Sequence, residues 1–376
     1  MKLEDYTYNL PDELIAAHPP QVRGGSRMLA LNRKTGELTD TFYRDVAQFF
    51  NAGDLLILND TKVIKARLFV RKKSGVQREL VILERHGEDD WKRHKVMYRG
   101  KIKAGDELFV DETKILVEEI LGDGLAIVSC DQDLREICEK HGTVPLPPYM
   151  RRDATALDIE RYQTVFAEEN GSVAAPTASL NMTPEILETL CTKGVKIAYL
   201  TLHVGLGTFL PIRVDNLEEH KMHQEYFEIP AETAHQIRET KTQGGRVFAL
   251  GTTVARTLEY ANEEIFSRES EVFASGSHKA HSAEISAGNF VGSEREAQHG
   301  DLLAQKTIKG EADIFIYPGY QFKTVDGLIT NFHAPKSTVL MLASAFATWQ
   351  NLEKAYAHAV AEKYKFLSYG DSMIIY

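Results

Sequence analysis

The chain has 376 residues, of which 26% are charged and 43% hydrophobic, and its formal net charge at pH 7 is −10. This length exceeds the ~250–300 residues at which single cores usually stop growing, so we expect two domains. No apolar run reaches the ~18–20 residues that span a bilayer, and the N-terminus lacks the apolar core of a signal peptide. The three cysteines form no CxxC pair, which suits a reducing compartment. The sequence therefore predicts a cytoplasmic protein that is not inserted in a membrane.

The first part of the chain predicts one buried strand followed by a β-rich block. Asp54–Leu58 is apolar after its first residue, as expected for a strand that is covered on both faces. Short strands separated by turn residues then extend to Cys130, and they indicate a small β-barrel or sandwich. These predicted strands are Arg67–Val70, Glu79–Leu83, Lys95–Tyr98, Glu107–Val110, Lys114–Leu121 and Leu125–Cys130. A short helix at Asp133–His141 and a stiff proline-rich linker at Pro145–Pro148 complete the block.

After the linker, predicted helices and strands alternate. Thr183 can cap a helix that has Pro184 at its first position and Gly194 just beyond its end. The further elements are strand Val195–Leu202, helix Ala231–Thr242, strand Arg246–Leu250, helix Thr253–Ala261, strands Asp313–Tyr317 and Gly327–Asn331, and helices Ser337–Thr348 and Leu352–Tyr364. Such alternation predicts a mostly parallel sheet with helices outside it. We therefore expect one discontinuous α/β domain, residues 1–62 and 146–376, with a β-barrel domain inserted at 63–145.

Polar clusters follow several of the apolar runs. In the stretch 199–209 a strand leads into His203, two glycines, Thr208 and Phe209, and a core histidine followed by a turn would give the same pattern. Comparable clusters are Leu-Asn-Asp-Thr-Lys-Val at 58–63, Ala-Ala-Pro-Thr-Ala-Ser-Leu at 174–180, His-Lys-Met-His-Gln-Glu-Tyr at 220–226, Leu-Gly-Thr-Thr at 250–253, Tyr-Pro-Gly-Tyr at 317–320 and Thr-Asn-Phe-His-Ala-Pro-Lys-Ser-Thr at 330–338.

The order and the residues of these clusters resemble those of one family, the S-adenosylmethionine:tRNA ribosyltransferase-isomerases of the queuosine pathway. The resemblance covers nearly the whole chain, from Tyr8 to Asp371. It implies a barrel-like α/β main domain with an inserted small β-barrel. It also implies transfer of the ribosyl group of S-adenosylmethionine to 7-aminomethyl-7-deazaguanine in a tRNA anticodon loop, giving epoxyqueuosine and releasing adenine and methionine. S-adenosylmethionine is then a consumed co-substrate, no metal is required, and we expect a monomer.

Such a reaction needs a base, an acid that helps adenine leave, and exclusion of water. Histidine suits proton transfer because its unperturbed pKa lies near neutrality. The catalytic candidates are Asp60, His203, His223 and His333, with His220 and Glu225 as further acid–base groups. A structural hydrogen bond is the alternative role for each. A sulfonium cation can be held by a carboxylate and by aromatic faces, for which Asp60, Phe209, Tyr226 and Phe332 are candidates, although aromatic residues more often form the core.

The remaining candidates are substrate-binding residues. Gly251-Thr-Thr253 precedes a helix whose N–H groups favour an anion, although ordinary N-capping would use the same residues. The full predicted set is Thr61, Thr177, Ser179, Gly205, Gly207, Thr208, Phe209, Glu225, Tyr226, Gly251, Thr252, Thr253, Asn331, Phe332, Lys336, Ser337 and Thr338. Asn181, Val254 and Ala334 depart from the histidine, serine and leucine of the family pattern. Asn181 cannot transfer protons near neutral pH, so we assign that position no acid–base role.

The acidic net charge conceals a local basic stretch. Between Lys62 and Lys103 there are 14 Lys and Arg against 5 Asp and Glu. Phosphate backbones are bound by such local stripes, although a lysine-rich solvated β surface is the alternative. The residues predicted to bind RNA are Arg67, Arg99, Lys101, Arg151, Arg152 and Arg256.

Two other functions remain open from the sequence. The first is a different S-adenosylmethionine-dependent RNA-modifying enzyme such as a methyltransferase, although no Gly-x-Gly-x-x-Gly fingerprint follows the first strand. The second is a non-catalytic RNA-binding protein built on the basic stretch. The polar segment 266–305 holds His278, His281 and His299, and it is a surface insertion rather than a metal site in our interpretation, because no Cys or carboxylate cluster accompanies them.

Overall fold

The computed structural model describes residues 1–86, 90–205, 207, 212–267 and 306–376. The strands are β1 (Arg27–Leu31), β2 (Leu38–Phe42), β3 (Leu55–Asn59), β4 (Thr61–Val63), β5 (Arg67–Lys72), β6 (Gln77–Ile82), β7 (Arg93–Arg99), β8 (Glu107–Val110), β9 (Thr113–Gly122), β10 (Leu125–Cys130), β11 (Glu169–Ser172), β12 (Lys196–Leu202), β13 (Glu225–Ile229), β14 (Val247–Leu250), β15 (Ile308–Ala312), β16 (Gly327–Asn331) and β17 (Ser372–Ile375). The α-helices are α1 (Leu134–His141), α2 (Ala156–Arg161), α3 (Pro184–Thr192), α4 (Ala231–Thr242), α5 (Thr252–Tyr260), α6 (Asn262–Ile265), α7 (Thr338–Ala347) and α8 (Trp349–Ala361).

The larger sheet has its most buried strand near its centre. Successive side chains of β3 point to opposite faces, so Leu55 and Ile57 enter one core while Leu56 and Leu58 enter another. Helices α4, α5, α7 and α8 cover the first face, and α3 with the 3₁₀ helix Tyr43–Phe49 covers the second. The prediction of a strand covered on both faces is confirmed.

The nine strands of this sheet follow the order β15-β13-β12-β3-β14-β16-β17-β1-β2. The pairs β12–β3, β3–β14, β14–β16 and β1–β17 are parallel, and the other four are antiparallel. The prediction of a mostly parallel sheet is therefore wrong for half of the pairs, because β13 and β15 on one side and β17 and β2 on the other pair antiparallel with a neighbour. Within the described residues the edge strands β15 and β2 do not pair with each other, so this sheet is open.

The β-rich block closes into a six-stranded barrel of order β10-β7-β6-β5-β8-β9. Alternate side chains of its strands fill the interior, for example Leu68 and Val70 of β5 and Leu80 and Ile82 of β6. Residues Leu134, Ile137 and Cys138 of α1 join the same core. The predicted α/β class with an inserted small β-barrel is thus confirmed, and a sandwich is excluded.

One predicted strand is wrong. Residues 313–317 have no regular secondary structure, and the strand lies directly before them at β15, which pairs with β13. The apolar run misled the prediction because Ile316 is buried in the core without belonging to a ladder. Pro318 also lacks a backbone N–H and cannot donate to a neighbouring strand.

Candidate active site

An open pocket of about 900 Å³ lies where β14 and β16 end and α5 and α7 begin. Seven of the predicted site residues line it, namely Thr177, Gly251, Thr252, Thr253, Asn331, His333 and Ser337. Apolar side chains such as Val204, Val339 and Leu367 form much of the remaining wall. Residues from six distant parts of the chain therefore meet at one edge of the sheet.

Two helix N-termini face this pocket. Gly251 caps α5 with a φ of 100°, a conformation that other residues rarely adopt, and Thr252 and Thr253 follow it on the pocket wall. Ser337 caps α7, where its Oγ accepts a hydrogen bond of 3.2 Å from the Leu340 N–H. The first N–H groups of a helix lack intrahelical partners, and the helix dipole is positive at this end. The pocket consequently suits an anionic group such as a carboxylate.

Asn331 adds an unpartnered donor. Its side chain is 2% exposed, and its Oδ1 accepts a hydrogen bond of 2.9 Å from the Thr177 hydroxyl. Its Nδ2 has no hydrogen-bond partner among the described residues. A buried amide without a partner loses its solvation, so a ligand acceptor in the pocket would restore a hydrogen bond there.

His333 lies on the same wall as a neutral imidazole. Its Nε2 is 2.7 Å from the Thr330 hydroxyl, and its backbone N–H donates to the Tyr356 hydroxyl at 2.9 Å. Tyr8 donates to its carbonyl oxygen. Burial lowers the pKa of His333 to about 3, so the ring is unprotonated at neutral pH and can accept a proton or a hydrogen bond.

His203 follows β12 and is 1% exposed. Its Nδ1 is 2.8 Å from the Thr61 hydroxyl, and its ring stacks on Tyr226 with centroids 6.2 Å apart. Burial, reinforced by the positive charge of Arg85, lowers its pKa to about 4. His203 is thus a second neutral imidazole, adjacent in sequence to the pocket residue Val204.

Asp60 has a different environment. It accepts a hydrogen bond of 2.6 Å from Thr201, and burial raises its pKa to about 6, with Glu169 and Glu168 acting in the same direction. The main charges acting on His203 are instead those of Arg85, Glu228, His86 and Glu84. The structure does not join Asp60 and His203 into a hydrogen-bonded pair.

Glu225 and Arg256 form a buried ion pair beside the pocket. Glu225 Oε1 also accepts a hydrogen bond of 2.9 Å from Gly205 N–H. Arg256 lines a neighbouring cavity of about 330 Å³ with Thr338 and Met222. The position predicted to contact RNA is therefore inside the protein, because α5 carries it toward β13.

His223 lies against Gly207, and burial lowers its pKa. Burial also lowers the pKa of His220, whose ring packs on Phe315 with centroids 4.8 Å apart.

The other predicted substrate residues are spread more widely. Phe332 is fully buried, where its ring packs against Tyr356, Tyr364 and Phe366, so it belongs to the core rather than to the pocket wall. Ser179 is also fully buried. Lys336 lies in the loop before α7 with a φ of 58°. The Tyr226 hydroxyl donates a hydrogen bond of 2.7 Å to the Glu228 carboxylate. Thr208, Phe209, His278, His281 and His299 lie outside the described residues.

Among the pocket residues that sequence reasoning missed are Tyr149 and Ser368, which hydrogen-bond to each other on the wall. The proline-rich linker before Tyr149 and the Ser-Tyr-Gly-Asp run at 368–371 were the available signals. It also missed Glu84, which lies beside Gly205. Nothing in the local sequence marks Glu84, because the contact joins the barrel to a distant strand end.

The predicted RNA-binding residues differ in how far they are already paired. Arg67 is 3.2 Å from Glu79, and its side chain is 15% exposed. Arg152 makes two hydrogen bonds of 2.7 Å with the buried Asp158. Arg99 and Arg151 are 66% and 73% exposed, with Glu79 at 4.0 Å and Asp12 at 3.1 Å, and Lys101 is exposed. Arg99, Lys101 and Arg151 are therefore the cations that face solvent.

No group of three or more His, Cys, Asp or Glu is placed to hold a metal ion in the described part of the chain. Among the same residues, no helix is both long and apolar enough to cross a membrane.

A family model described as "Queuosine biosynthesis protein" matches residues 3–375. This chain belongs to that family. The chain is similar to an S-adenosylmethionine:tRNA ribosyltransferase-isomerase of Pelodictyon phaeoclathratiforme, which is 50% identical over 100% of both chains. One of the same name from Francisella tularensis subsp. novicida is 43% identical, again over 100% of both chains. The crystal structure of an S-adenosylmethionine tRNA ribosyltransferase from Thermotoga maritima is 31% identical with a TM-score of 0.52, and the match covers 99% of this chain and 100% of that one. These matches therefore span the residues of the barrel as well as those of the larger sheet.

Proposed function

We propose that this chain is an S-adenosylmethionine:tRNA ribosyltransferase-isomerase, which moves the ribosyl group of S-adenosylmethionine onto 7-aminomethyl-7-deazaguanine in tRNA and forms epoxyqueuosine. Adenine and methionine are the other products. The observation that supports this most is the pocket between the N-termini of α5 and α7, with the unpartnered Asn331 amide on its wall, in a chain whose full-length relatives carry that name.

The pocket has the groups that S-adenosylmethionine requires. Its methionine carboxylate fits the N-terminus of α5 at Thr252 and Thr253, where N–H groups and the helix dipole favour an anion. Asn331 Nδ2 can donate to the carboxylate or to a ribose hydroxyl, and Thr177 holds that amide in place. The apolar residues of the wall exclude water, which protects a reactive ribosyl intermediate from hydrolysis.

Proton transfer falls to Asp60, His203, His223 and His333 in this proposal. His203 and His333 are neutral at physiological pH and therefore act as acceptors. Asp60 has a pKa of about 6, so it retains a fraction of its protons close to neutrality and can donate one. Departure of adenine requires such a donor, whereas ylide formation next to the sulfonium requires an acceptor.

The tRNA is expected to present its anticodon loop, because proteins read bases most readily in single-stranded loops. Arg99, Lys101 and Arg151 are the proposed phosphate contacts, since they are exposed. In the same proposal residues 1–62 and 146–376 form the catalytic domain, residues 63–145 form the inserted barrel domain, and the enzyme is a cytoplasmic monomer that requires no metal.

Product analysis tests the proposal directly. The purified protein is incubated with S-adenosylmethionine and tRNA that carries 7-aminomethyl-7-deazaguanine, and adenine, methionine and the modified nucleoside are quantified by mass spectrometry. Equal release of adenine and methionine together with epoxyqueuosine is the expected result. Adenosylhomocysteine would instead identify a methyltransferase. Binding of the tRNA without turnover would identify a non-catalytic RNA-binding protein.

A further inference from the structure

The segment Glu84–His86, which follows β6, connects the barrel to the larger sheet. Leu83 N–H, just before it, donates to Lys95 within the barrel at 3.1 Å, whereas Arg85 N–H donates to the Gly171 carbonyl of β11 at 3.0 Å. His86 Nδ1 is 3.2 Å from a Glu311 carboxylate oxygen on β15. Glu84 is therefore held between two bonded neighbours, and its position depends on how the barrel docks.

The Glu84 carboxylate lies directly on the backbone of Gly205. A Cβ at position 205 would overlap it, so only glycine permits this approach. The side chain is 11% exposed, and its Oε1 is 3.6 Å from His86 Nε2. Its Oε2 has no hydrogen-bond partner in the described ranges. Gly205 directly follows the pocket residue Val204 in the chain, so the carboxylate lies against a residue next to the pocket wall.

The negative charge of Glu84 affects the pKa of two of the candidate catalytic histidines. Glu84 acts to raise the pKa of His203 and of His223, against the burial that lowers both. The Glu84 carboxylate therefore acts electrostatically on both rings from the barrel side.

A buried carboxylate oxygen without a hydrogen bond is unfavourable unless a ligand supplies a donor. Both substrates of the proposed reaction carry a cation. The sulfonium of S-adenosylmethionine has no N–H or O–H group to donate. Its α-ammonium belongs to the methionine end, whose carboxylate is assigned to the N-terminus of α5 in the proposed function. The ammonium of the aminomethyl base has three N–H donors and no other partner in the proposal. A charge-assisted hydrogen bond from that ammonium would balance the negative charge of Glu84 and give its Oε2 a donor.

We propose that Glu84 is a catalytic residue supplied by the barrel, which binds the aminomethyl group of the tRNA base and removes a proton from it. This rests on the proposed function. In the step, one N–H bond breaks, the proton forms an O–H bond with the Glu84 carboxylate, and the electron pair stays on nitrogen. The neutral amine can then attack the ribosyl carbon, and Glu84 later returns its proton to solvent.

The test uses Glu84→Gln, which keeps the size of the side chain and an oxygen facing His86 but removes the negative charge. Binding of two versions of one tRNA is compared, the first with 7-aminomethyl-7-deazaguanine and the second with guanine at the same position. The affinity for S-adenosylmethionine and the turnover number are measured in parallel. Glu84→Asp tests rescue by charge with shorter reach, and Glu112→Gln is the matched control, because Glu112 is exposed on the barrel at the β8–β9 turn.

We expect Glu84→Gln to lower turnover by at least ~10², the scale of a lost acid–base group. We also expect it to lose about tenfold or more of the preference for the aminomethylated tRNA, as for a lost hydrogen bond to a charged group. The affinities for guanine-containing tRNA and for S-adenosylmethionine should stay unchanged, Glu84→Asp should recover part of the preference, and Glu112→Gln should match the unmodified protein.

Three results would overturn the assignment. One is wild-type turnover and preference in Glu84→Gln. Another is weaker binding of S-adenosylmethionine with an unchanged tRNA preference, which would place the carboxylate at the sulfonium or the α-ammonium of that substrate. The third is an equal loss of affinity for both tRNAs together with a lower melting temperature, which would make Glu84 a structural contact between barrel and sheet. Failure of the proposed function is distinguishable, because it would appear as absent epoxyqueuosine formation in the unmodified protein.

Discussion

The pocket at α5 and α7 and the outer surface of the barrel present opposite kinds of polar group. The pocket wall has no Lys, Arg, Asp or Glu among its described residues. It has instead two helix N-termini and the Asn331 amide, whose Nδ2 has no hydrogen-bond partner in the described part of the chain. The barrel has many charges, yet several are already paired, as in Arg67–Glu79, Lys72–Asp106 and Arg93–Glu118. Capacity for a ligand therefore follows from donors that lack partners rather than from the number of charges in a stretch of sequence.

The largest expected effect concerns the uncharged groups at the candidate site. His203→Ala and His333→Ala should each lower turnover by at least ~10², because each removes an imidazole that is held unprotonated as an acceptor. Steady-state rates of epoxyqueuosine formation provide the measurement. His18→Ala serves as control, since His18 is exposed. Near-wild-type turnover in both variants would refute these site assignments while leaving the family intact.

Asp60 extends the comparison to a half-buried carboxylate that forms no ion pair with the described residues. Its pKa is raised to about 6 from 3.8, so the stability it contributes is present below the unfolded pKa and is lost as pH rises through 6. Asp60→Asn should accordingly raise the free energy of unfolding by about 2–3 kcal/mol at pH 7.5, and much less at pH 4. The Thr201 hydroxyl can still donate to the new amide oxygen. Urea denaturation at both pH values measures this, and an equal gain at both would exclude the ionisation as its cause.

Asn331→Asp tests whether the amide donor on the pocket wall binds S-adenosylmethionine. The substitution keeps the acceptor for Thr177 but replaces the free amide donor by a negative charge facing the proposed anion site. We expect the KM for S-adenosylmethionine to rise by at least about tenfold, the scale of a hydrogen bond to a charged group. The KM for tRNA should change little, and Asn51→Asp at an exposed position controls for the added charge. An unchanged KM for S-adenosylmethionine would move its binding site elsewhere.

The smallest effects belong to the barrel surface. Lys101→Gln should weaken tRNA binding a few-fold and reduce the slope of log affinity against log salt by about 1, because an exposed cation releases a counterion on binding phosphate. Arg67→Gln should leave that slope unchanged, since its guanidinium is already paired with Glu79. Salt titrations with tRNA distinguish the two. Equal slopes in both variants would show that pairing in the free protein does not decide which cations meet RNA.

Local patterns predicted much of the secondary structure. The limits of helix α3 were predicted from its cap Thr183, from Pro184 and from Gly194. In the structure the Thr183 side chain accepts a hydrogen bond from the Ile186 N–H. Strands β8, β10 and β16 and helix α4 have the predicted limits. Strands β1 and β17 were missed, because Met, Leu and Ser are weak strand formers and their pairing is between the two ends of the chain.

The sequence by itself determined the class of fold, the β-rich inserted block and the list of polar clusters, because periodicity, caps and turn residues are properties of neighbouring residues. Local patterns left a barrel or a sandwich open for that block, and the tertiary structure closes it into a barrel. Only the tertiary structure decided which clusters share a site. Strand order brings Thr177 to Asn331 and Glu225 to Arg256, and it leaves Phe332 in an aromatic core. Docking of the barrel places Glu84 against Gly205. Such contacts join residues far apart in the chain, so no local pattern carries them, and the partners and pKa values of side chains follow from them.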